Sequence, residues 1–459
     1  MRYAGGSGGR RIAMPSRCPL VAAVVVACGS AFGQARKPWT ILVYGAADNN
    51  ADGPILQFLD KVRKAIDDDP GVDLLLLIDR SEKYSKDARL LGEDFTGARL
   101  FRLKKDRAER LSGGEFFPEI TTTKDAEINS ADAANIGKFV AWGKSVSPAE
   151  RYGLMIYSHA NGRTMCPDEE CKGEMGIAEL SDKAQGHVDF LALELCEMGG
   201  IEIAYQWRPG GNGFSADVLL AIPNAGPPLD WDRAFARIRT PGHDTEASGP
   251  PVDPSKMTAR EFGSLVIEEG RAGRELHNAS MEAAASYDLK AAAAVKESVD
   301  AMARVLAKSD GKSAFLGLRE APPEDAPINY SEGGPYVDLF DVCERAAACA
   351  GLSEEARKAA RVVMEKTDAF VLDSFGMEGH RGFKPGKNGV FIVMPRPGNW
   401  GKFAWYTPEA GTGKDYGRWS FLRDGAKAGD GVVDNWFELL DSWLDEQGGP
   451  GGGANGYKP

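Results

Sequence analysis

The stretch Val72-Asp73-Leu74-Leu75-Leu76-Leu77-Ile78 carries almost no polar residue. A strand with one wet face alternates apolar and polar; a strand buried on both faces reads as a continuous apolar run. Tyr152–Tyr157, Val188–Leu195 and Ala216–Ile222 have the same character, and Thr40–Tyr44 opens the series. Helical stripes separate them. Ile55, Phe58, Leu59, Val62 and Ile66 fall on one face, as the 3.6-residue period requires. Asp132–Trp142, Met198–Trp207 and Asp230–Ile238 read likewise as helices, and Ala98–Leu103 as a short strand. Alternation of doubly buried strands with amphipathic helices predicts an α/β fold, a mainly parallel sheet with helices on both faces. The expected α/β domain spans 38–240.

Thr240–Pro254 is rich in Pro, Gly and acids, and 241–254 reads as a linker. Residues 255–445 read as a mostly helical C-terminal region: Ala259–Glu269, Ala291–Ala307, Glu354–Phe375 and Trp436–Leu444, with one late strand at Asn388–Met394. The Gly-rich end, 446–459, reads as disordered. There is no internal repeat.

The first 35 residues read as processing. Arg2, Arg10, Arg11 and Arg17 precede an apolar run from Leu20 to Ala27, far short of the ~20 residues a membrane-spanning helix needs. A basic start, a short apolar core and small residues predict an export signal. Ala31-Phe32-Gly33 offers one cleavage site, making 1–33 the leader. Val25-Val26-Ala27-Cys28 resembles the bacterial lipobox, which would end the leader at 27 and make Cys28 a lipid anchor and the sole membrane attachment. The expected location is periplasmic or extracellular. Loss of residues 1–33 removes four Arg and no acid, taking the formal charge from −12 to −16. That balance argues against nucleic-acid partners, which demand excess Lys and Arg.

Five of the seven Cys lie beyond the leader: Cys166, Cys171, Cys196, Cys343 and Cys349. In an oxidising compartment, the close spacings suggest Cys166–Cys171 and Cys343–Cys349 bridges, leaving Cys196 unpaired. Polar residues end two of the buried strands. Leu154–Tyr157 runs into Ser158-His159-Ala160-Asn161-Gly162, and Phe190–Leu195 runs into Cys196-Glu197-Met198-Gly199-Gly200. Carboxyl ends of parallel strands form the ligand crevice. Neighbouring strands would present His159 beside Cys196, the pairing a thiol nucleophile needs. The rival reading is a core cysteine and a structural histidine. Side chains alternate along a strand, so Glu194 shares Cys196's face and would favour a cationic substrate side chain. Asp217, opening the next strand, is a second candidate pocket acid. No zinc spacing of Cys and His appears, and no phosphate-cradling Gly loop.

The chain resembles the clostripain family of cysteine peptidases, relatives of caspases, legumain and gingipain, from Trp39 to about Leu444. The matching pieces are Trp39–Tyr44 with Ala46-Ala47-Asp48-Asn49-Asn50, His159, Cys196 with Met198-Gly199 and Ile201–Tyr205, and Asn388–Pro395. The resemblance implies a caspase-like α/β/α sandwich and an endopeptidase forming an acyl-enzyme. Cys196 is then the nucleophile and His159 the acid and base. The N–H groups of Cys196 and Ala160 hold the oxyanion, and substrates are peptides or proteins with Arg or Lys at P1. It implies self-cleavage between His159 and Cys196, with Lys172 the first candidate and Lys183 another. Chemistry needs no cofactor, but clostripain uses calcium, for which the run Asp168-Glu169-Glu170 is a candidate. Two departures stand out. The family has Gly where this chain has Ala160, which costs roughly 1 kcal/mol if that position takes a positive φ, and Ala where it has Leu195. They leave room for an alternative, an inactive peptide-binding relative. A third reading is a hydrolase on the same kind of sheet without a Cys nucleophile.

Overall fold

The computed structural model describes residues 36–444, except 85, 87–88, 106, 125, 212, 244–248, 278–281, 332, 377–380, 397, 401–418 and 426–431. The expected leader with Cys28, and the Gly-rich tail, lie outside the described residues. In chain order the first elements are β1 (Lys37–Ala47), α1 (Asp52–Ile66), β2 (Val72–Arg80), β3 (Gly97–Lys104), β4 (Arg107–Leu111), α2 (Ala133–Val146) and β5 (Ala149–Tyr157). A hairpin of β6 (Thr164–Asp168) and β7 (Gly173–Gly176) follows, then α3 (Ile177–Lys183), β8 (His187–Glu194), α4 (Ile201–Gln206), β9 (Ser215–Ala221) and α5 (Trp231–Arg237). The C-terminal part holds α6 (Ala259–His277), β10 (Ala283–Asp288), α7 (Ala292–Ala307), α8 (Lys312–Arg319), β11 (Tyr336–Asp338), α9 (Leu339–Ala348), α10 (Glu354–Phe370), β12 (Val371–Gly376), β13 (Phe391–Val393), α11 (Ser420–Arg423) and α12 (Trp436–Leu444).

One sheet organises the chain, in the order β12-β10-β9-β8-β5-β1-β2-β3-β4. Its centre, β9-β8-β5-β1-β2, is parallel. Both flanks are antiparallel, β10 and β12 on one side and β3 and β4 on the other. The expected mainly parallel sheet is therefore corrected: pairings of the two kinds are equal in number. A parallel return needs a crossover, usually a helix. Among the described residues between β2 and β3 there is only one 3₁₀ turn, Arg89–Leu91, and the chain comes back antiparallel.

The apolar runs are explained by the two faces. Leu42, Leu75, Leu154 and Leu191 pack with α2, α3 and α7 through Phe139, Leu180 and Val295. Their sequence neighbours Ile41, Leu74, Met155 and Phe190 pack with α1, α5 and α6 through Leu59, Phe235 and Phe262. Period-two alternation thus feeds two cores, and every residue of β2 is buried.

The C-terminal region is helical but, among the described residues, carries four strands where one was expected. β10 and β12 extend the main sheet, and everything from Lys37 onward belongs to one compact unit. β10 reads Ala-Ala-Ala-Ser-Tyr-Asp, and alanine favours helix. Small side chains fit there because Gly389 crosses close by: a Cβ on Gly389 would lie 2.8 Å from the Ala285 Cβ. The helix expected over Glu354–Phe375 stops at Phe370, where Tyr287 of β10 stacks on the ring at 5.0 Å, and Val371 onward pairs with β10 instead. The supposed linker is tied down at its described ends. Val252 exchanges backbone bonds with Arg237 and Arg239, and Pro254 crowds Gly71. Among the described residues no helix is long and apolar enough to cross a membrane.

Candidate active site

β5 and β8 are neighbours, and their pairing ends at Tyr157 opposite Glu194. Two residues further along each strand stand His159, exposed, and Cys196, half-buried. The sheet thus brings the two candidates to one edge. The His159 Nε2 lies 2.7 Å from Asn50 Oδ1. An amide oxygen only accepts, so Nε2 carries the proton and Nδ1 keeps the basic lone pair. The polar neighbour of the Cys196 sulfur is the Gly226 carbonyl at 4.0 Å. No hydrogen bond joins His159 to Cys196 among the described residues; catalytic hydrogen bonds often form only once substrate is bound.

Asn50 escaped notice as a site residue in the sequence, although the Asp48-Asn49-Asn50 turn was its signal. Asn49 explains how the turn is held. Its Nδ2 donates to Ala46 O at 3.0 Å, Pro167 O at 2.8 Å and Ser158 Oγ at 3.2 Å. The amide therefore pins the residue before His159 to the end of β1.

Past the thiol the chain turns sharply, and Glu197 takes φ 59, a left-handed conformation costly for a residue with a Cβ. The Glu197 and Met198 N–H groups are spent on Asn224 O and Ile222 O at 3.0 and 2.9 Å. Cys196 N–H is not part of that pairing. Ala160 bridges Met165, but the bonds run from Cys166 N to His159 O and from Asn161 N to Thr164 O, which leaves Ala160 N–H out of the ladder. Ala160 is not among the residues with positive φ, so it bears no left-handed cost. The glycine this loop needs is Gly162, at φ 75, where a Cβ would collide with the Tyr336 hydroxyl. Leu195 is buried in the core.

Glu194 lies at the expected strand end, but it is enclosed rather than lining an open wall. It is 3% exposed. Its Oε2 accepts from Leu229 N at 2.9 Å and its Oε1 from Trp231 Nε1 at 2.6 Å. Burial pushes its carboxyl up to about 7, against the pull of those two donors. Asp217 is a correction. It lies near the amino end of β9, level with the start of β8, and pairs with His187 at 3.8 Å and Lys290 at 3.1 Å. Seven residues of strand, roughly 20 Å, separate that level from Cys196.

The two expected disulfides are also corrected, since all five cysteines are free thiols. Cys343 lies in α9 and Cys349 is its C-cap. Six residues of helix rise about 9 Å, beyond the ~7 Å a bridge tolerates between Cα atoms. Cys166 is buried and Cys171 exposed on the β6–β7 hairpin. Burial pushes the Cys166 thiol far up, and burial with nearby acids pushes Cys171 to about 11. Lys172 sits in the exposed hairpin turn. Lys183 ends α3, half-exposed and paired with Glu179 and Asp132 at 3.5 and 3.7 Å.

Among the described residues, two groups of side chains have the composition of metal ligands. His187, Asp189 and Asp217 gather at the far end of β8, where Lys290 already compensates Asp217. Glu127, Asp168 and Cys171 hold their ligand atoms within 4.8 Å of one another, beside the carboxyls of Asp48 and Asp79. Glu169, from the expected calcium run, turns away to Lys83 at 2.9 Å.

The C-terminal region props both site loops from behind. Tyr336 of β11 donates to Asn161 O at 2.9 Å. Phe391 N of β13 donates to Gly199 O at 2.9 Å, and Val393 N to Glu202 Oε1 at 2.9 Å.

The sequence profile of the clostripain family matches residues 43–443. The chain is 34% identical to the clostripain of Hathewaya histolytica, over 91% of this chain and 89% of that protein. Two solved structures share the fold. One is an inactive zymogen of a C11 protease from Parabacteroides distasonis, with TM-score 0.53 and 18% identity over 79% of this chain and 93% of that one. The other is a secreted C11 cysteine protease from Bacteroides thetaiotaomicron, bound to an irreversible peptide inhibitor, with TM-score 0.52 and 18% identity over 80% and 95%. A free thiol and a histidine at adjacent parallel strand ends, a family profile spanning most of the chain and a curated relative aligned nearly end to end agree: this chain belongs to the clostripain family of cysteine peptidases.

Proposed function

We propose that the protein is an exported endopeptidase in which Cys196 and His159 form the catalytic dyad, cutting after Arg or Lys. The observation that carries the dyad is the β5–β8 register, which ends with both residues on one edge. His159 Nδ1 takes the Cys196 proton, while Asn50 holds the Nε2 proton and with it the ring. The thiolate attacks the scissile carbonyl. The N–H groups of Cys196 and Ala160 receive the oxyanion, a role worth on the order of 10²–10³ in rate per donor. Protonated His159 then donates to the leaving amine, and afterwards draws a proton from the water that releases the acyl group. Basic P1 selection is supported by the Glu194 carboxylate beneath the nucleophile and by the acidic balance of the chain. With both oxygens already engaged, Glu194 would act on a P1 cation through the loop it anchors and through its charge.

Export is supported by the basic, apolar and small-residue leader and by the relative described as secreted. Lys172, exposed in a hairpin turn between the two catalytic residues, is the proposed self-cleavage site. Mass spectrometry of the purified chain reads that cut and any lipid on Cys28.

Hydrolysis of Arg-, Lys- and neutral-P1 peptides tests the reading. Cys196→Ala should lower kcat/KM at least ~10³-fold, as loss of a covalent nucleophile does. Hydrolysis surviving in Cys196→Ala overturns the mechanism. Tight peptide binding without hydrolysis by either protein would instead establish a binding relative. Glu194→Gln should reduce the preference for Arg and Lys, and an unchanged preference removes Glu194 from selection.

A further inference from the structure

The exposed stretch Ala225-Gly226-Pro227 runs beside the thiol, and Gly226 O lies 4.0 Å from Cys196 Sγ. This rim follows β9 and has few ways of being held. Pro227 and Pro228 carry no N–H, so only their carbonyls can tie them to the rest of the fold. Both carbonyls accept from one side chain. Arg274, on α6 and 4% exposed, donates from Nη2 to Pro227 O at 3.2 Å and to Pro228 O. Its Nη1 donates to Asp230 Oδ2 at 2.9 Å. Asp230 is the N-cap of α5, yet its carboxylate makes no cap bond there; it is turned to Arg274 instead. The guanidinium also pairs with Glu282, whose side chain stands behind Gly226: a Cβ on Gly226 would lie 3.4 Å from the Glu282 Cγ.

Two further observations bear on this joint. Gly273, the residue before Arg274, has no room for a side chain, because a Cβ there would collide with the Asp230 carboxylate. From the other side, Glu194 accepts from Leu229 N and Trp231 Nε1. The segment 227–231 is therefore held between α6 and the end of β8. The Arg274 charge is also felt at Glu194, where it opposes the upward push of burial.

The geometry points to Arg274 as a positioning residue for peptide substrates: it fixes the rim Ala225–Pro228 against Cys196, and with it the wall a peptide meets at the thiol. Arginine suits the task because its planar fork holds five N–H donors in fixed directions. Two prolyl carbonyls and two carboxylates use that fork here. Lysine has three donors on one atom and cannot hold all four partners. His159 is carried by β5 and steadied by Asn50, on the opposite side of β8 from the rim. Loosening the rim should therefore weaken the hold on a peptide and leave the reactivity of the thiol in place. The effect on hydrolysis rests on the proposed dyad; the effect on peptide binding does not.

The test uses the full chain with Arg274→Lys, and with Gly273→Ala, which keeps every charge and pushes on Asp230 alone. An acetylated peptide with Arg at P1, titrated calorimetrically into Cys196→Ala, should bind at least ~10-fold more weakly when either substitution is added. With the thiol present, kcat/KM for the same peptide should fall ~10–100-fold, chiefly through KM. Iodoacetamide, too small to need the rim, should alkylate Cys196 at the parent's rate, read by peptide mass spectrometry. Should Arg274→Lys fail to fold, Gly273→Ala decides. Peptide binding unchanged in the folded variants overturns the role. Alkylation and hydrolysis falling together, with a lower melting temperature, would make Arg274 a purely structural residue and also overturns it. Weakened peptide binding with no hydrolysis by the parent keeps the role and removes the dyad. A parent that neither binds nor cuts the peptide overturns both.

Discussion

Glu194 and Asp79 are both buried acids at the carboxyl ends of strands in the same parallel core, and they are opposites. Glu194 receives two donors, one from backbone and one from Trp231. Asp79 receives none and faces other acids. Burial raises both groups, yet donors restrain Glu194 to about 7 while Asp79 stays well above its ordinary value. Burial alone therefore does not define an acid's role. A satisfied carboxylate is a strut, and an orphaned one costs the fold free energy.

The largest expected effect on stability separates the two. Glu194→Ala leaves the Leu229 N–H and the Trp231 Nε1–H unpaired, at roughly 1–3 kcal/mol each. Urea unfolding should show a loss of roughly 2–5 kcal/mol, whereas Asp79→Asn should lose nothing. Equal losses in the two variants break the comparison.

Acidity sharpens it. Glu194 and Glu202 both have carboxyls raised from 4.5 to about 7. The folded state then binds their protons more tightly than the unfolded one. Their stabilising contribution is complete below about 4.5 and lost as pH rises through about 7. Melting temperatures should fall from pH 5 to pH 8, and fall less in Glu194→Gln. An identical slope in the variant would show that Glu194 does not titrate there.

Asn50→Ala removes the side chain that holds the ring of His159, the base of the proposed dyad. Losing an orienting partner should lower kcat/KM by ~10–100-fold and shift the acid limb of the pH–rate profile. Asn50 is exposed, so the melting temperature should hold; a shift there would make its role structural. On the opposite side of the same loop, Tyr336→Phe removes the bond to Asn161 O and should cost about 1 kcal/mol, read by unfolding. Smallest of all is the response to reductant. With all five cysteines free, dithiothreitol should leave the melting curve in place, and a clear drop would restore a disulfide.

Much of the candidate site was legible in the sequence. A doubly buried strand writes itself as an apolar run, and the polar residues that stop it name the crevice, hence His159 and Cys196. Cys196 stands out by its strand end, not by elimination, since the bridges meant to leave it over do not form. Asp217 failed because β9 runs parallel to β8, so the residue that opens β9 lies at the amino end of the sheet, far from the thiol. β10 failed because alanine has no strand signature, and only the approach of Gly389 shows why small residues belong there.

The amino-acid sequence by itself determined the layering, the parallel core and the two residues at its edge, because these depend on local period and on where apolar runs stop. Only the tertiary structure decided what each buried acid meets. The donors of Glu194 come from the loop and helix after β9. The acids around Asp79 come from the ends of β1 and β6 and from the segment before α2. Charge and hydrogen bonding act across space between stretches far apart in the chain, so no local pattern could distinguish the satisfied carboxylate from the orphaned one.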